Sequence, residues 1–165
     1  MQLQEFFDYK NQLMGDILTN ESLVKLIDDE EFFGDNPEGL AYTHVFPFEY
    51  IPETVQDGRT FVCIEVDVQD AGKTYYMPVI YVWVFSHRSR LRLPEGGVRT
   101  DKICSKICEM INGSRFYGMG ELNFHSAKRF APMTDYNGKM LTFYAKDFSK
   151  QFVGNKPTPT NRKNG

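Results

Sequence analysis

The side chains best equipped for chemistry lie between Ser86 and Lys102, in the stretch SHRSRLRLPEGGVRTDK. Arg88, Arg90 and Arg92 alternate with Ser89, Leu91 and Leu93, so extended backbone would project all three guanidinium groups to one side. Arg99 and Lys102 follow, and five cations in fifteen residues suit phosphate oxygens or the carboxylates of a partner. Gly96-Gly97 stands before a predicted helix, where backbone N–H groups can hold an anion. The Gly-x-x-x-x-Gly-Lys-Ser/Thr pattern of a nucleotide loop is absent, so the stretch reads as a surface that meets another subunit or partner.

Other clusters lack the spacing that a reaction needs. Glu65 and Asp67 share one face of TFVCIEVDVQ (60–69), but a nuclease would place lysine two residues after the acid, and position 67 is Asp. They read as a solvated strand face. The run Asp28-Asp29-Glu30-Glu31 sits at a predicted helix end, where adjacent carboxylates diverge and cannot surround a hard cation. Cys104 and Cys108 fall inside an apolar helical stripe, with no second His or Cys pair to complete a metal site, and read as small buried hydrophobes. His44, His87 and His125 are scattered singly. No catalytic residue, cofactor or metal is expected, and the chain is not read as an enzyme.

The elements that position the arginine stretch follow from periodicity. Leu3, Phe6, Phe7, Leu13, Met14, Ile17 and Leu18 recur at helical spacing over 3–18. Asn20 caps a second short helix whose face is Leu23, Val24 and Ile27. Residues 34–58 are punctuated by glycine and proline, and YTHVFPFEYIPET reads as a short edge strand plus an extended contact segment. In 60–69, Val62, Ile64, Val66 and Val68 point one way and Phe61, Cys63, Glu65 and Asp67 the other. A turn at 70–73 leads to 74–86, a hairpin partner apolar on both faces, which helices or another subunit must cover. Pro78 argues for a bulge or an edge within it. Thr100 is expected to cap a helix with the stripe Ile103, Cys104, Ile107, Cys108 and Ile111, closed by Asn112-Gly113. Strands at 121–130 and 139–148 flank an expected turn at Asp135-Tyr136-Asn137-Gly138. The fold class is therefore α+β: one domain over 1–153, a mainly antiparallel sheet of four to five strands, an N-terminal helix pair and one central helix. Residues 154–165 lack apolar side chains and read as a disordered tail.

Composition is that of a soluble globular chain, 41% hydrophobic and 25% charged over 165 residues, with aromatics raised to 15%. The net charge of −3 hides a division. Residues 1–57 hold 13 acidic and 2 basic side chains, a net of −11, and residues 58–165 hold 9 acidic and 17 basic, a net of +8. Opposite charge on different faces would draw copies together head to tail, a contact that closes into a ring when its rotation allows. The acidic total argues against dedicated nucleic-acid binding. No secretory leader or membrane span is read, and three unpaired cysteines suit a reducing compartment.

The run SHRSRLRLPEGGVRTDKI, with NGSRFYG and KRFAPMTDYNGKMLTFYAKDF after it, resembles tail terminator proteins of long-tailed bacteriophages, of a kind encoded among tail-assembly genes in Gram-positive hosts. The resemblance covers roughly residues 40–150. It implies a sheet with helices packed on it, and a ring of this chain, usually a hexamer. The ring would cap the tail tube at the neck of a virion and meet the tail tube protein on one side. On the other it would meet the head-completion or stopper protein, with DNA passing through the lumen and no membrane contact. On that reading the interface candidates are Arg88, Arg90, Arg92, Arg99, Phe46, Phe48 and Tyr50. A different head-tail connector, or a small α+β enzyme or nucleic-acid module, are the alternatives.

Overall fold

The computed structural model describes residues 3–28, 36–52, 58–72, 75–115 and 120–145, with the side chains of 70–72, 75 and 76 left aside. In chain order the elements are α1 (Leu3–Thr19), α2 (Glu21–Asp28), β1 (Val45–Phe46), β2 (Thr60–Gly72), β3 (Tyr75–His87), α3 (Arg99–Ile111), β4 (Leu122–Met133) and β5 (Tyr136–Ala145). Three helices and a five-stranded mixed sheet make an α+β fold, as the periodicity predicts. The strand order is β1-β2-β3-β5-β4, with β1 parallel to β2 and every other pair antiparallel.

The alternation read in 60–69 sets the layers. Val62, Ile64 and Val66 of β2 and Ile80, Val82 and Val84 of β3 turn to one face, where they join Leu13 and Ile17 of α1, Leu23 and Ile27 of α2, and Ile103, Ile107 and Ile111 of α3. All three helices thus contribute to one core, and each buried aliphatic side chain adds about 1.5–3 kcal/mol. The opposite face gathers Phe46, Phe61, Cys63, Trp83, Phe85 and Tyr136, and no helix residue belongs to that group among the described residues. Helices were expected as one way to cover both faces of β3; they cover one.

Local signals hold at several helix ends. Asn20 Oδ1 accepts the Leu23 N–H at 3.2 Å, the cap expected for α2. Asn112 ends α3, with Gly113 at φ +77°. Thr100, expected to cap α3, lies inside it and is buried; Val98 holds the cap position without a side-chain hydrogen bond. In that first turn the Arg99 N–H, one of the donors without a helical partner, bonds the Leu91 carbonyl at 2.7 Å.

The two hairpin turns differ from expectation. β2 runs through Asp70 to Gly72, with a register shift between those two residues, so the connection is shorter than 70–73. Pro78 lies opposite Val68, one residue before the pairing of β3 with β5 begins at Val79, which is how the strand accepts a missing donor. In the second hairpin the turn is Thr134-Asp135, and Tyr136, Asn137 and Gly138 belong to β5. Gly138 is a strand residue because the β3 backbone crosses it closely. A Cβ there would stand 1.7 Å from the Val84 carbonyl oxygen and 2.6 Å from Phe85 Cα. The Phe85 and Phe130 rings, its neighbours on β3 and β4, meet edge to face at 5.7 Å.

Gly138→Ala is therefore expected to destabilise the fold by roughly 3 kcal/mol, because the obstacle is backbone and cannot rotate away. Gly15→Ala, in α1 with nothing within 4 Å of the new methyl, should instead gain about 0.5–1 kcal/mol. Denaturant unfolding midpoints of the two variants check both signs.

Candidate interaction surface

The arginine stretch is folded, not extended. Arg88–Arg90 form one 3-10 turn, so the three arginines do not project to one side as alternation in an extended chain would have it. The turn forms because His87 Nδ1 accepts the Ser89 N–H at 3.2 Å and the Ser89 hydroxyl lies 2.7 Å from the same nitrogen. Arg88 is anchored to the β4–β5 turn: its N–H donates to the Asp135 carbonyl at 2.8 Å and its Nε stands 3.5 Å from the Asp135 carboxylate. Beyond it, Arg92 bridges to Val98. Gly96 and Gly97, at φ +99° and +88°, turn the chain between them. The glycine pair serves this small reversal.

Each predicted interface residue has a definite place. Arg88 and Arg92 are exposed, and Arg90 is half-buried. Arg99 is also half-buried and acts as a clamp: Nε donates to the Arg90 carbonyl and a terminal guanidinium nitrogen to the Leu26 carbonyl, both at 2.8 Å. It ties the loop to the C-terminal end of α2, where carbonyls lack helical partners. Phe46 is buried in β1 and stacks on Tyr50 at 4.2 Å, while Phe48 is exposed and Tyr50 half-buried. These rings cover the Phe61 end of the second sheet face, Phe46 at 6.3 Å and Tyr50 at 5.8 Å from the Phe61 ring.

Further from that end the second face is a set of cross-strand rows. Cys63, Trp83, Met140 and Lys128 form one row; Glu65, Tyr81, Thr142 and Ser126 the next; Asp67, Val79, Tyr144 and Asn123 a third. Tyr81 and Trp83 stack at 5.8 Å, and Tyr144 lies 4.4 Å from the His125 ring. Tyr81, Met140 and Tyr144 are half-buried. The aromatic alternation of β3 signals this face in the sequence; the contributions of Met140, Thr142 and Tyr144 need the strand pairing to be seen.

Among the described residues no group of three or more His, Cys, Asp or Glu could hold a metal ion. His44 is 1% exposed and its Nδ1 lies 3.0 Å from Thr43 Oγ1; that hydroxyl donates to the Gly39 carbonyl, so the imidazole Nδ1 must be the donor to it. Burial, with Arg59 and Arg90 nearby, lowers its pKa from 6.5 to about 4, which keeps it neutral. The contact between Ser89 and His87 is the cap of a turn. Cys63 and Cys104 are buried, and burial pushes both thiols up to about 12. Glu65 accepts its neighbour's Val66 N–H at 2.9 Å and pairs with Lys10 at 2.8 Å, closing the edge of β2 beyond the short β1 instead of facing Asp67.

Two outcomes follow from this geometry. Arg99→Ala should cost about 1–3 kcal/mol, since it leaves two carbonyls without their donors, whereas Arg88→Ala, at an exposed pair, should cost under about 1 kcal/mol. Paired denaturant titrations distinguish them. For His44 the unfolded chain binds a proton near pH 6.5 that the folded chain refuses until about 4, so its contribution to stability is lost as pH falls through that window. The loss is on the order of 3 kcal/mol. His44→Asn, which keeps a donor toward Thr43, should flatten the stability curve between pH 7 and 4.

Comparison with known proteins finds no significant match among curated proteins or solved structures. A family profile, described as YomW, matches residues 20–145, from the α2 cap through the end of β5. The family name is of the Bacillus phage and prophage type and marks a phage-associated protein. No helix among the described residues is long and apolar enough to cross a membrane. With well over half of its length matched, including the whole sheet, the chain belongs to the YomW family.

Proposed function

We propose that this protein is a structural component of a phage virion, a tail terminator that assembles as a ring, caps the tail tube and joins it to the head connector. The observation that carries the reading is the second sheet face. Its rows of Tyr81, Trp83, Met140 and Tyr144 have no helix over them among the described residues, and aromatic and methionine side chains are those enriched where subunits meet. The phage association of the family and the scattered, separately occupied histidines support assembly over catalysis. The partners on this reading are further copies of the chain, six to a ring by the resemblance to terminators, together with the tube protein and the head-completion protein. DNA would pass through the lumen without sequence-specific contact. Arg88 and Arg92, the exposed members of the arginine stretch, are the cations offered to an acidic neighbour.

Purified protein mixed with tube subunits should shorten and cap tubes in electron micrographs, and light scattering should show a discrete oligomer. Tubes of unchanged length would overturn the terminator reading. Arg88→Ser combined with Arg92→Ser should weaken assembly while shifting unfolding by no more than about 1 kcal/mol. Equal loss of folding would assign these arginines to the domain interior.

A further inference from the structure

On the helical side of the sheet, the end of α3 meets the start of β4, and an open groove of about 520 Å³ lies between α3 and the outer strands. Ala127 and Leu141 from the sheet, Cys104 and Cys108 from α3, and Phe124 line it. Phe124 is 43% exposed, large for a phenylalanine beside a core. Lys139 and Asp101 pair at 2.5 Å at one end, and at the other Asn112 Oδ1 accepts the Phe124 N–H at 2.9 Å. Glu109 on the rim is exposed and has no ion-pair partner among the described residues. β4 is also the sheet's outer strand: on its far side Leu122 bonds Gly113 and Ser114, the Phe124 N–H bonds Asn112, and no strand pairs with it among the described residues.

The position of β5 suggests an occupant. Ala145, its last residue, pairs with Leu122 beside the Phe124 end of the groove. The chain then continues as KDFSKQFV, residues 146–153, which lie outside the described residues. Phe148 and Phe152 are four apart and share a face whether such a segment is helical or extended, with Lys150 between them. Eight extended residues reach about 26 Å. The floor from Lys139 to Phe143 is shorter, about 17 Å at strand rise. A return into the same molecule's groove needs a reversal directly after Ala145; a four-residue turn there would take up Lys146 to Ser149, Phe148 with them, and leave four residues, about 13 Å extended, for that floor.

We infer that residues 146–153 of one copy dock in this groove of a neighbouring copy, Phe148 and Phe152 against Phe124 and Leu141, and Lys150 toward Glu109. Donor and acceptor are different surfaces, so the contact is heterologous, the kind that closes a ring. The inference rests on the assembly reading above and names its contact.

Cys108 is the reporter, because it lines the groove and is half-buried while Cys63 and Cys104 are buried. Its alkylation rate is measured on the full chain across a concentration series, beside sedimentation of the same samples. Labelling should slow about tenfold as oligomer forms, by mass action. Phe148→Ser with Phe152→Ser should abolish both the oligomer and the slowing, with the melting temperature unchanged. Slowing that is the same at every concentration yet lost in the double variant means the segment covers its own groove and overturns the inference. So does equal labelling of both proteins throughout. An oligomer with protected Cys108 that fails to cap tubes would count against the terminator reading and leave this contact standing.

Discussion

Strand β3 is apolar on both faces, and the fold depends on removing both from water. Ile80, Val82 and Val84 meet a single core built by three helices, while Trp83 and Phe85 meet aromatics from β1, β2 and β5. A one-residue slip against either neighbour would exchange the two sets and put rings among the helices. Gly138 makes such a slip costly on one side, since no other residue fits where β5 passes the backbone of Val84 and Phe85. The register of the central strand is thus held by shape on one side and by matched apolar rows on the other.

The helices and loops answer to that strand. α2 ends near the start of α3, and Arg99 joins them by donating to the Leu26 carbonyl and to the arginine turn at once. A planar guanidinium with several fixed donors can satisfy carbonyls from two elements that a lysine could reach only singly. One cation of the basic part of the chain is therefore engaged inside the molecule, on carbonyls of the arginine turn and of α2. Lys10 with Glu65 crosses the division of charge in the opposite sense, a cation of the acidic part holding an acid of the basic part.

Two surfaces remain distinct on opposite sides of the sheet. The helix-free side presents tyrosine, tryptophan and methionine in cross-strand rows, and the helical side opens a groove between α3 and the outer strands. A protein proposed to build a ring and also to contact a tube needs more than one such surface, because neighbours in the ring and partners along its axis approach from different directions. On neither surface, among the described residues, do three or more His, Cys, Asp or Glu side chains stand where they could hold a metal ion.

What the sequence determined by itself is local. The helical stripes of α1, α2 and α3, the Asn20 cap, the Asn112-Gly113 stop and the facing of β2 and β3 all follow from periods of 3.6 and 2 and from neighbours within a turn. Arg88 and Arg92 were legible as surface cations from their charge alone, whereas the alternation that would have aligned them with Arg90 does not hold. Tertiary structure decided the rest: that all three helices share one face, that β1 pairs parallel to β2, that β5 lies between β3 and β4, and that Arg99 is a clamp. Gly138 shows why. Asp-Tyr-Asn-Gly has the composition of a turn, and only the approach of β3, distant in sequence, makes its glycine a strand residue. Periodicity says which face of an element avoids water, but it does not say which distant element will cover it.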